Sequence, residues 1–139
     1  MIGVDTNILA RFYVDDPNDP ESAKQRPIAR RILTDSDQMF VPLTVILELE
    51  WVLRAFYRFE TTDFRRVIEH LLGLANVNVE EWPRVAQALV LQQEGLDFAD
   101  ALHLTACNQC STFYTFDDRK FARRAARLSM SPQVYVPTE

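Results

Sequence analysis

The first seven residues combine a short apolar run, a carboxylate and the start of a helix. The run from Met1 to Val4 ends at Asp5, and apolar side chains then recur at helical spacing from Ile8 to Tyr13. This pattern predicts a strand that stops at Asp5 and a helix directly after it. In open parallel sheets, ligands bind beyond the carboxyl ends of the strands. Asp5 is therefore either a candidate for chemistry or the N-cap of the helix.

The same arrangement recurs near the end of the chain. The β-rich run Thr112–Phe116 ends at Asp117 and Asp118, and a helical pattern follows from Arg119 to Arg127. We therefore expect Asp5 and Asp117 to lie at carboxyl ends of strands. A second strand that ends in an acid favours a chemical role for both residues.

Strands and helices alternate between these two segments. Further strands are predicted at Met39–Val41, Val77–Val79 and Gln133–Val136. The predicted helices include Ser22–Leu33, Thr44–Phe59, Phe64–Leu74, Trp82–Gln93 and a segment that begins after Asp97. This order favours an α/β fold with a mainly parallel sheet and right-handed connections. The 139 residues suit one domain with its own core, so we expect a single domain over residues 1–139.

Two acids lie near the start of the helix that Thr44 is expected to cap. Glu50 has Arg54 four residues later, a favourable pair that suggests a solvent-facing position. Glu48 has apolar neighbours on its own face and no such cation. It is therefore either exposed or, if it is buried, in need of a partner.

The segment from Asp97 to Cys110 contains the remaining candidates. Asp97 is well placed as a helix N-cap, and Asp100 follows in the first turn, where the helix dipole favours the ionised carboxylate. A structural role for Asp100 therefore stays open. His103 is more typical of a helix surface than of a ligand. The C-x-x-C formed by Cys107 and Cys110 has no second cysteine pair, which favours buried, reduced thiols over a redox or zinc site.

Four carboxylates in one cleft raise one another's pKa, and cations are the natural compensation. A site of oxygen ligands favours Mg²⁺ or Mn²⁺ over Zn²⁺. The net charge of −5 is the wrong sign for binding nucleic acid by bulk electrostatics. Divalent ions remove this objection, since they let an acidic cleft accept a phosphodiester and can activate water. The basic run after Asp117, with Arg119, Lys120 and Arg123, is a candidate to hold the flanking backbone.

Four segments, in order along the chain, resemble the motifs of PIN-domain ribonucleases. Val4-Asp5-Thr6-Asn7 is similar to the N-terminal signature of that family, and the acid Glu48 within residues 44–53 is similar to the second motif. Residues 97–102, Asp-Phe-Ala-Asp-Ala-Leu, resemble the third motif, and residues 115–121 resemble the fourth. Their size and spacing look like those of the VapC toxins of bacterial and archaeal toxin–antitoxin pairs. The resemblance spans nearly the whole chain.

This resemblance implies a three-layer α/β/α sandwich and Mg²⁺- or Mn²⁺-dependent endoribonuclease activity. The implied catalytic, metal-binding acids are Asp5, Glu48, Asp100 and Asp117. Asp97 is either a fifth acid of the cluster or only the helix cap. The residues implied to support the acids by hydrogen bonds are Thr6, Asn7 and Thr115.

The resemblance also implies an RNA substrate, a homodimer or larger toxin–antitoxin assembly, and a VapB-like antitoxin whose basic tail enters the acidic groove. No apolar run approaches the length of a membrane span, and structure is predicted from Ile2 onward, so we expect a cytoplasmic protein without membrane contact. Two alternatives stay open: a non-catalytic binding module on the same fold, and a structure-specific DNA nuclease. Core packing or an interface can account for the aromatic residues Trp51, Phe56, Tyr57, Phe59 and Phe64.

Overall fold

All strand pairs of this chain are parallel, as the α/β prediction requires. The computed structural model describes residues 1–139, which form two compact units, Met1–Trp82 and Pro83–Glu139. Strands and helices alternate in the predicted order. None of the helices combines the length and the apolar character needed to span a membrane.

The first unit is built on a three-stranded sheet in the order β1-β2-β3. Its strands are β1 (Ile2–Gly3), β2 (Met39–Val41) and β3 (Val77–Val79). Its helices are α1 (Thr6–Tyr13), α2 (Pro20–Asp35), α3 (Leu43–Trp51) and α4 (Thr61–Gly73). Two helices follow β1 and two follow β2, because a parallel partner strand is reached only by a crossover connection.

The core of this unit lies around the central strand β2. Met39 and Val41 are fully buried there, and α4 presents a buried stripe with the spacing of one helix face: Phe64, Val67, Ile68 and Leu71. From α3, Ile46 and Leu49 are also fully buried. Each such side chain contributes about 1.5–3 kcal/mol to the free energy of unfolding.

The start of α3 differs from the prediction, because Thr44 does not cap it. The helix begins at Leu43 with Pro42 as its N-cap residue. A side chain distant in sequence replaces the cap, since the carboxylate of Glu80 accepts a hydrogen bond of 2.8 Å from the amide of Leu43. The first free amide of α3 is thus satisfied without a local Ser or Thr.

The solvent-facing position predicted for Glu50 is wrong. This residue is only 6% exposed, because it lies four residues after the fully buried Ile46 and next to Leu49. The predicted pair with Arg54 does form, with 2.7 Å between Arg54 Nε and Glu50 Oε1. The ion pair therefore compensates the charge of a buried carboxylate and is not a pair between two solvent-exposed side chains.

The second unit contains α5 (Trp82–Gln93, from its second residue), α6 (Phe98–Ala106), α7 (Arg123–Arg127) and the strands β4 (Thr112–Tyr114) and β5 (Gln133–Tyr135). The two strands pair in parallel, and Tyr114 lies opposite Tyr135. A π-helical turn, Asp118–Ala122, leads directly into α7. Both strands are shorter than predicted, so Phe116 and Val136 lie outside them.

Gly95 ends α5 and fixes where α6 can begin. Its φ of 111° lies in the region that glycine adopts without strain. The amide of Leu96 donates to the carbonyl of Leu91 at 3.1 Å, the bond expected of a glycine-terminated helix. The chain then reaches Asp97 in an extended conformation, from which the next helix starts.

The two cysteines follow the end of α6 as free thiols. Cys107 is half-buried and Cys110 is exposed, so the prediction of a buried pair is wrong for Cys110. The physical reason is position, since Cys110 lies in the turn beyond the helix. Desolvation, together with the neighbouring Cys110 thiol, raises the pKa of Cys107. This environment is the opposite of the one that activates a thiolate.

Candidate active site

Asp5 follows β1 after one intervening residue, Val4, and caps α1. Its backbone is extended, and its Oδ1 accepts a hydrogen bond of 2.8 Å from the amide of Thr6. The cap engages one carboxylate oxygen of an otherwise exposed side chain. Capping and metal binding are therefore compatible roles for Asp5, since a carboxylate has two oxygens.

Thr6 connects the start of α1 to α3. Its side chain is buried, and its hydroxyl donates a short hydrogen bond to Oε1 of Glu48. Glu48 itself is exposed, so this bond restrains a carboxylate that solvent would otherwise leave free to rotate. The partner that Glu48 lacked in its own helix thus comes from residue 6.

Asp5 and Glu48 line one pocket of about 420 Å³ within the first unit. The exposed Asn7 also lines it, together with Thr6. The rest of the wall is formed by Ala10, Arg11, Trp51, Val52, Phe56 and Tyr57. The structure therefore brings together the predicted residues of the first two motifs.

The predicted acids of the second unit also occupy helix starts. Asp97 caps α6, since its Oδ1 accepts a hydrogen bond of 3.2 Å from the amide of Asp100. Asp117 precedes the π-helical turn, and its Oδ1 accepts 2.9 Å from the amide of Lys120. The hydroxyl of Thr115 accepts a bond of 3.1 Å from the amide of Asp117. This bond positions the backbone of Asp117, which lies three residues after the end of β4.

The pKa of Asp100 is affected by the other two acids of this unit. Burial raises the pKa of Asp100 most, the carboxylates of Asp97 and Asp117 raise it further, and His103 acts in the opposite direction. Three acids close enough to repel one another are typical of a site that receives a cation or a proton. Asp97 therefore interacts electrostatically with Asp100, and it also caps the helix that contains Asp100.

The basic residues after Asp117 divide into two groups. Arg123 is already paired within the chain, with 2.8 Å between its guanidinium and the carboxylate of Asp118. Arg119 and Lys120 are exposed. These two are the better candidates for contacts with a phosphate backbone. His103 is exposed and stacks on Phe113 with 6.5 Å between ring centroids, the surface position predicted for it.

The donor set suits a hard divalent cation. All of the predicted ligands are carboxylates, the class that Mg²⁺ and Mn²⁺ prefer, and the raised pKa of Asp100 is the electrostatic condition that a cation would relieve. No group of three or more His, Cys, Asp or Glu side chains is arranged as a metal site. The four-acid metal site therefore stays a prediction.

Three residues of the pocket were not assigned to a site by the sequence. No sequence pattern pointed to Arg11, because its hydrogen-bond partners Gln25 and Tyr57 are distant along the chain. Trp51 and Phe56 were noted only as candidates for core packing or an interface. Both are exposed, whereas Phe64 belongs to the core. An aromatic-rich helix that contains a candidate site acid was the one available signal.

We expect Asp100→Asn to stabilise the metal-free protein at neutral pH. The pKa of Asp100 is raised in the folded state, so this acid does not destabilise the protein at a pH below its unfolded-state pKa. As the pH rises through its folded-state pKa, the carboxyl ionises and the free energy of unfolding falls. The gain in Tm should be small, about 1–2 °C, because solvent screens this half-buried carboxyl. Thermal denaturation in EDTA from pH 3 to pH 8 measures it. A gain that does not shrink towards pH 3 would contradict the electrostatic explanation.

Comparison with known proteins places these features in a family. The PIN domain family profile matches residues 2–127, which contain every candidate acid. The VapC ribonuclease of Aquifex aeolicus (strain VF5) is 30% identical over 88 residues, which cover 63% of this chain. The match spans 64% of the length of that relative. The predicted fold class, an α/β/α sandwich with a mainly parallel sheet, is thereby confirmed. Because the profile covers nearly the whole sequence, the chain belongs to the PIN domain family.

Proposed function

We propose that this protein is a metal-dependent endoribonuclease and the toxin of a type II toxin–antitoxin pair. The observation that carries the proposal is the grouping of the motif acids within each unit. Asp5 and Glu48 line one pocket, and burial, together with the charges of Asp97 and Asp117, raises the pKa of Asp100. Family membership and the similarity to a VapC ribonuclease support the same activity.

The proposed metal-binding acids are Asp5, Glu48, Asp100 and Asp117. When bound, Mg²⁺ or Mn²⁺ would supply a water of lowered pKa and positive charge beside the scissile phosphate. The hydroxyl of Thr6 holds the Glu48 carboxylate in one orientation. Thr115 positions the backbone of Asp117. Asn7 is proposed to bind a polar group in the pocket that it lines, and Asp97 to act as a fifth acid through its charge on Asp100.

The proposed substrate is single-stranded RNA, held on either side of the cleaved bond by exposed cations. Arg119 and Lys120 lie two and three residues after Asp117, and their exposed side chains can contact phosphate oxygens. The proposed protein partners are a second copy of the chain and a VapB-like antitoxin with a basic tail, which the acidic net charge would attract. We propose that residues 1–139 act as one PIN-like domain in the cytoplasm.

The decisive test compares RNA and DNA strands of matched sequence. We expect cleavage of RNA with Mg²⁺ or Mn²⁺, and none after excess EDTA, because the acids alone cannot neutralise a phosphodiester. Electrophoresis of end-labelled strands measures both. Faster cleavage of the DNA strand would assign a DNA nuclease instead. Absence of cleavage, together with absence of Mn²⁺ binding by calorimetry, would assign a non-catalytic binding module.

A further inference from the structure

Two large aromatic side chains are exposed on the wall of the Asp5–Glu48 pocket. Trp51 is 57% exposed and Phe56 is 71% exposed, although the adjoining Leu53 is fully buried. Exposed aromatic side chains that together border a pocket form a surface suited to contact with a ligand or partner. The acid site alone does not require them.

A π-helical turn gives both rings their place at the pocket. In an α-helix, residues five positions apart point in different directions. The segment Val52–Phe56 is π-helical, and the amide of Tyr57 donates to the carbonyl of Val52 at 3.2 Å. This wider turn brings residues 51 and 56 towards the same face. Such turns occur frequently at functional sites.

The same pocket contains a guanidinium whose hydrogen-bond partners are neutral. Arg11 donates from Nε to the amide oxygen of Gln25 and from Nη1 to the hydroxyl of Tyr57, each at 2.9 Å. These bonds fix the position of the guanidinium and leave its charge uncompensated by either partner. A fixed arginine of this kind is suited to a phosphate.

We propose that this pocket is a nucleotide-binding subsite of the ribonuclease. Arg11 contacts a phosphate of the RNA, and the base of that nucleotide stacks on Trp51 and Phe56. The inference rests on the proposed function for the identity of the polymer. The pocket places an arginine and two aromatic rings beside the site acids. The arginine suits a phosphate, the rings suit a base, and the acids would lie next to the cleaved bond.

The mixed lining of the pocket favours a nucleotide over a hydrophobic contact with a second copy of the chain. The pocket combines the guanidinium of Arg11 with the rings of Trp51 and Phe56, next to the acids Asp5 and Glu48. A nucleotide places its phosphate at Arg11 and presents an uncharged base to the two rings. Its polymer also continues towards the acids at which cleavage is proposed.

The chain offers a direct spectroscopic test, because Trp51 and Trp82 are its only tryptophans. In Trp82→Phe, all tryptophan fluorescence comes from Trp51. We expect the four ribonucleoside 5′-monophosphates, which contain no phosphodiester to cleave, to quench this fluorescence in the presence of Mg²⁺. In Trp51→Phe, the remaining Trp82 should show no saturable quenching.

Binding of RNA gives the second measurement. We expect Trp51→Ala and Phe56→Ala each to raise the Kd for a single-stranded hexanucleotide about 5- to 100-fold, the range associated with loss of one base stack. Fluorescence anisotropy in an Asp117→Asn background avoids cleavage of the probe. Trp82→Ala is the matched control, since Trp82 is 56% exposed and does not line the pocket.

Arginine variants distinguish a loss of RNA binding due to the missing charge from a loss due to unfolding. Arg11→Gln should weaken binding of the hexanucleotide, and Arg11→Lys should restore part of it, because lysine keeps the positive charge. Arg30→Gln, an exposed arginine on α2, should leave the Kd unchanged. Circular dichroism of each variant identifies a loss of binding that is due to unfolding.

Several results would overturn the subsite. If Trp51→Ala leaves RNA binding unchanged while the wild type still cleaves RNA, the subsite is wrong and the ribonuclease function stands. If Trp51→Ala instead converts a dimer to a monomer in sedimentation without changing RNA binding, this face is an interface between copies. A wild type that neither binds nor cleaves RNA with any divalent metal overturns both proposals.

Discussion

Replacing Asp5 by Asn is expected to abolish RNA cleavage and to leave the fold intact. Asparagine is as good an N-cap as aspartate, so the start of α1 keeps its hydrogen bond from the amide of Thr6. The substitution removes the negative charge proposed to bind the metal. We expect a loss of about 10³-fold or more in kcat/KM, because several kcal/mol of charge stabilisation disappear. Cleavage of a labelled RNA, with the circular dichroism spectrum of the same sample, measures both effects.

A second cap acid provides the matched control for this experiment. Asp19 caps α2, since its Oδ1 accepts a hydrogen bond of 3.1 Å from the amide of Glu21. It does not line the Asp5–Glu48 pocket. We expect Asp19→Asn to retain full activity. Wild-type activity in Asp5→Asn would reject Asp5 as a metal ligand, and equal losses in both variants would point to the helix starts instead.

Phe98→Ala should produce the largest loss of stability among substitutions near the candidate acids. Phe98 is 1% exposed and is the first residue of α6, between Asp97 and Asp100. Truncation of a buried phenylalanine removes its transfer free energy and leaves a cavity, which together cost about 3–5 kcal/mol. That is a large fraction of the 5–15 kcal/mol that is typical of a native protein at about 25 °C. Urea denaturation of the metal-free protein measures the difference.

Phe116→Ala tests whether this cost arises from burial. Phe116 has the same side chain but is 85% exposed, so the substitution should change the free energy of unfolding by about 0.5 kcal/mol or less. A loss below about 1 kcal/mol in Phe98→Ala would show that the site refills easily. The two acids beside Phe98 would then owe their position to the cap at Asp97 rather than to packing.

Local chemistry explains why so much of the fold could be predicted. The strands Met39–Val41 and Val77–Val79 and the helix Trp82–Gln93 have the predicted boundaries, since each is a short apolar run or an amphipathic stretch between clear breaks. Asp5 and Asp97 cap helices as their residue type and position indicate. Such signals involve neighbours within a few residues, and the sequence displays them directly.

Two of the predictions that were wrong, those for Thr44 and Glu50, depend on tertiary packing. Thr44 is not a cap because Glu80 satisfies the start of α3 instead. Glu50 has the predicted partner Arg54, yet its burial depends on how α3 packs. A favourable pair at i and i+4 therefore does not distinguish a surface from an interior.

The candidate site shows the same division. The acids were accessible to sequence reasoning, because they follow strands or occupy first helical turns. The bond from Thr6 to Glu48 spans 42 positions, and the bond from Arg11 to Tyr57 spans 46. The π-helical turn that turns Phe56 towards the pocket has no recognisable residue pattern. These features depend on tertiary packing.

The helix caps formed by Asp5, Asp97 and Asp117 have a consequence for how such a protein can lose its activity. At each position the backbone accepts either aspartate or asparagine, while only aspartate carries charge. A single substitution of aspartate by asparagine would therefore abolish the proposed activity while the chain stays folded and avoids the degradation that follows unfolding. The silent chain would persist and present an almost unchanged surface. It would compete with active copies for the same binding partners, so inactive alleles at these positions would act as decoys.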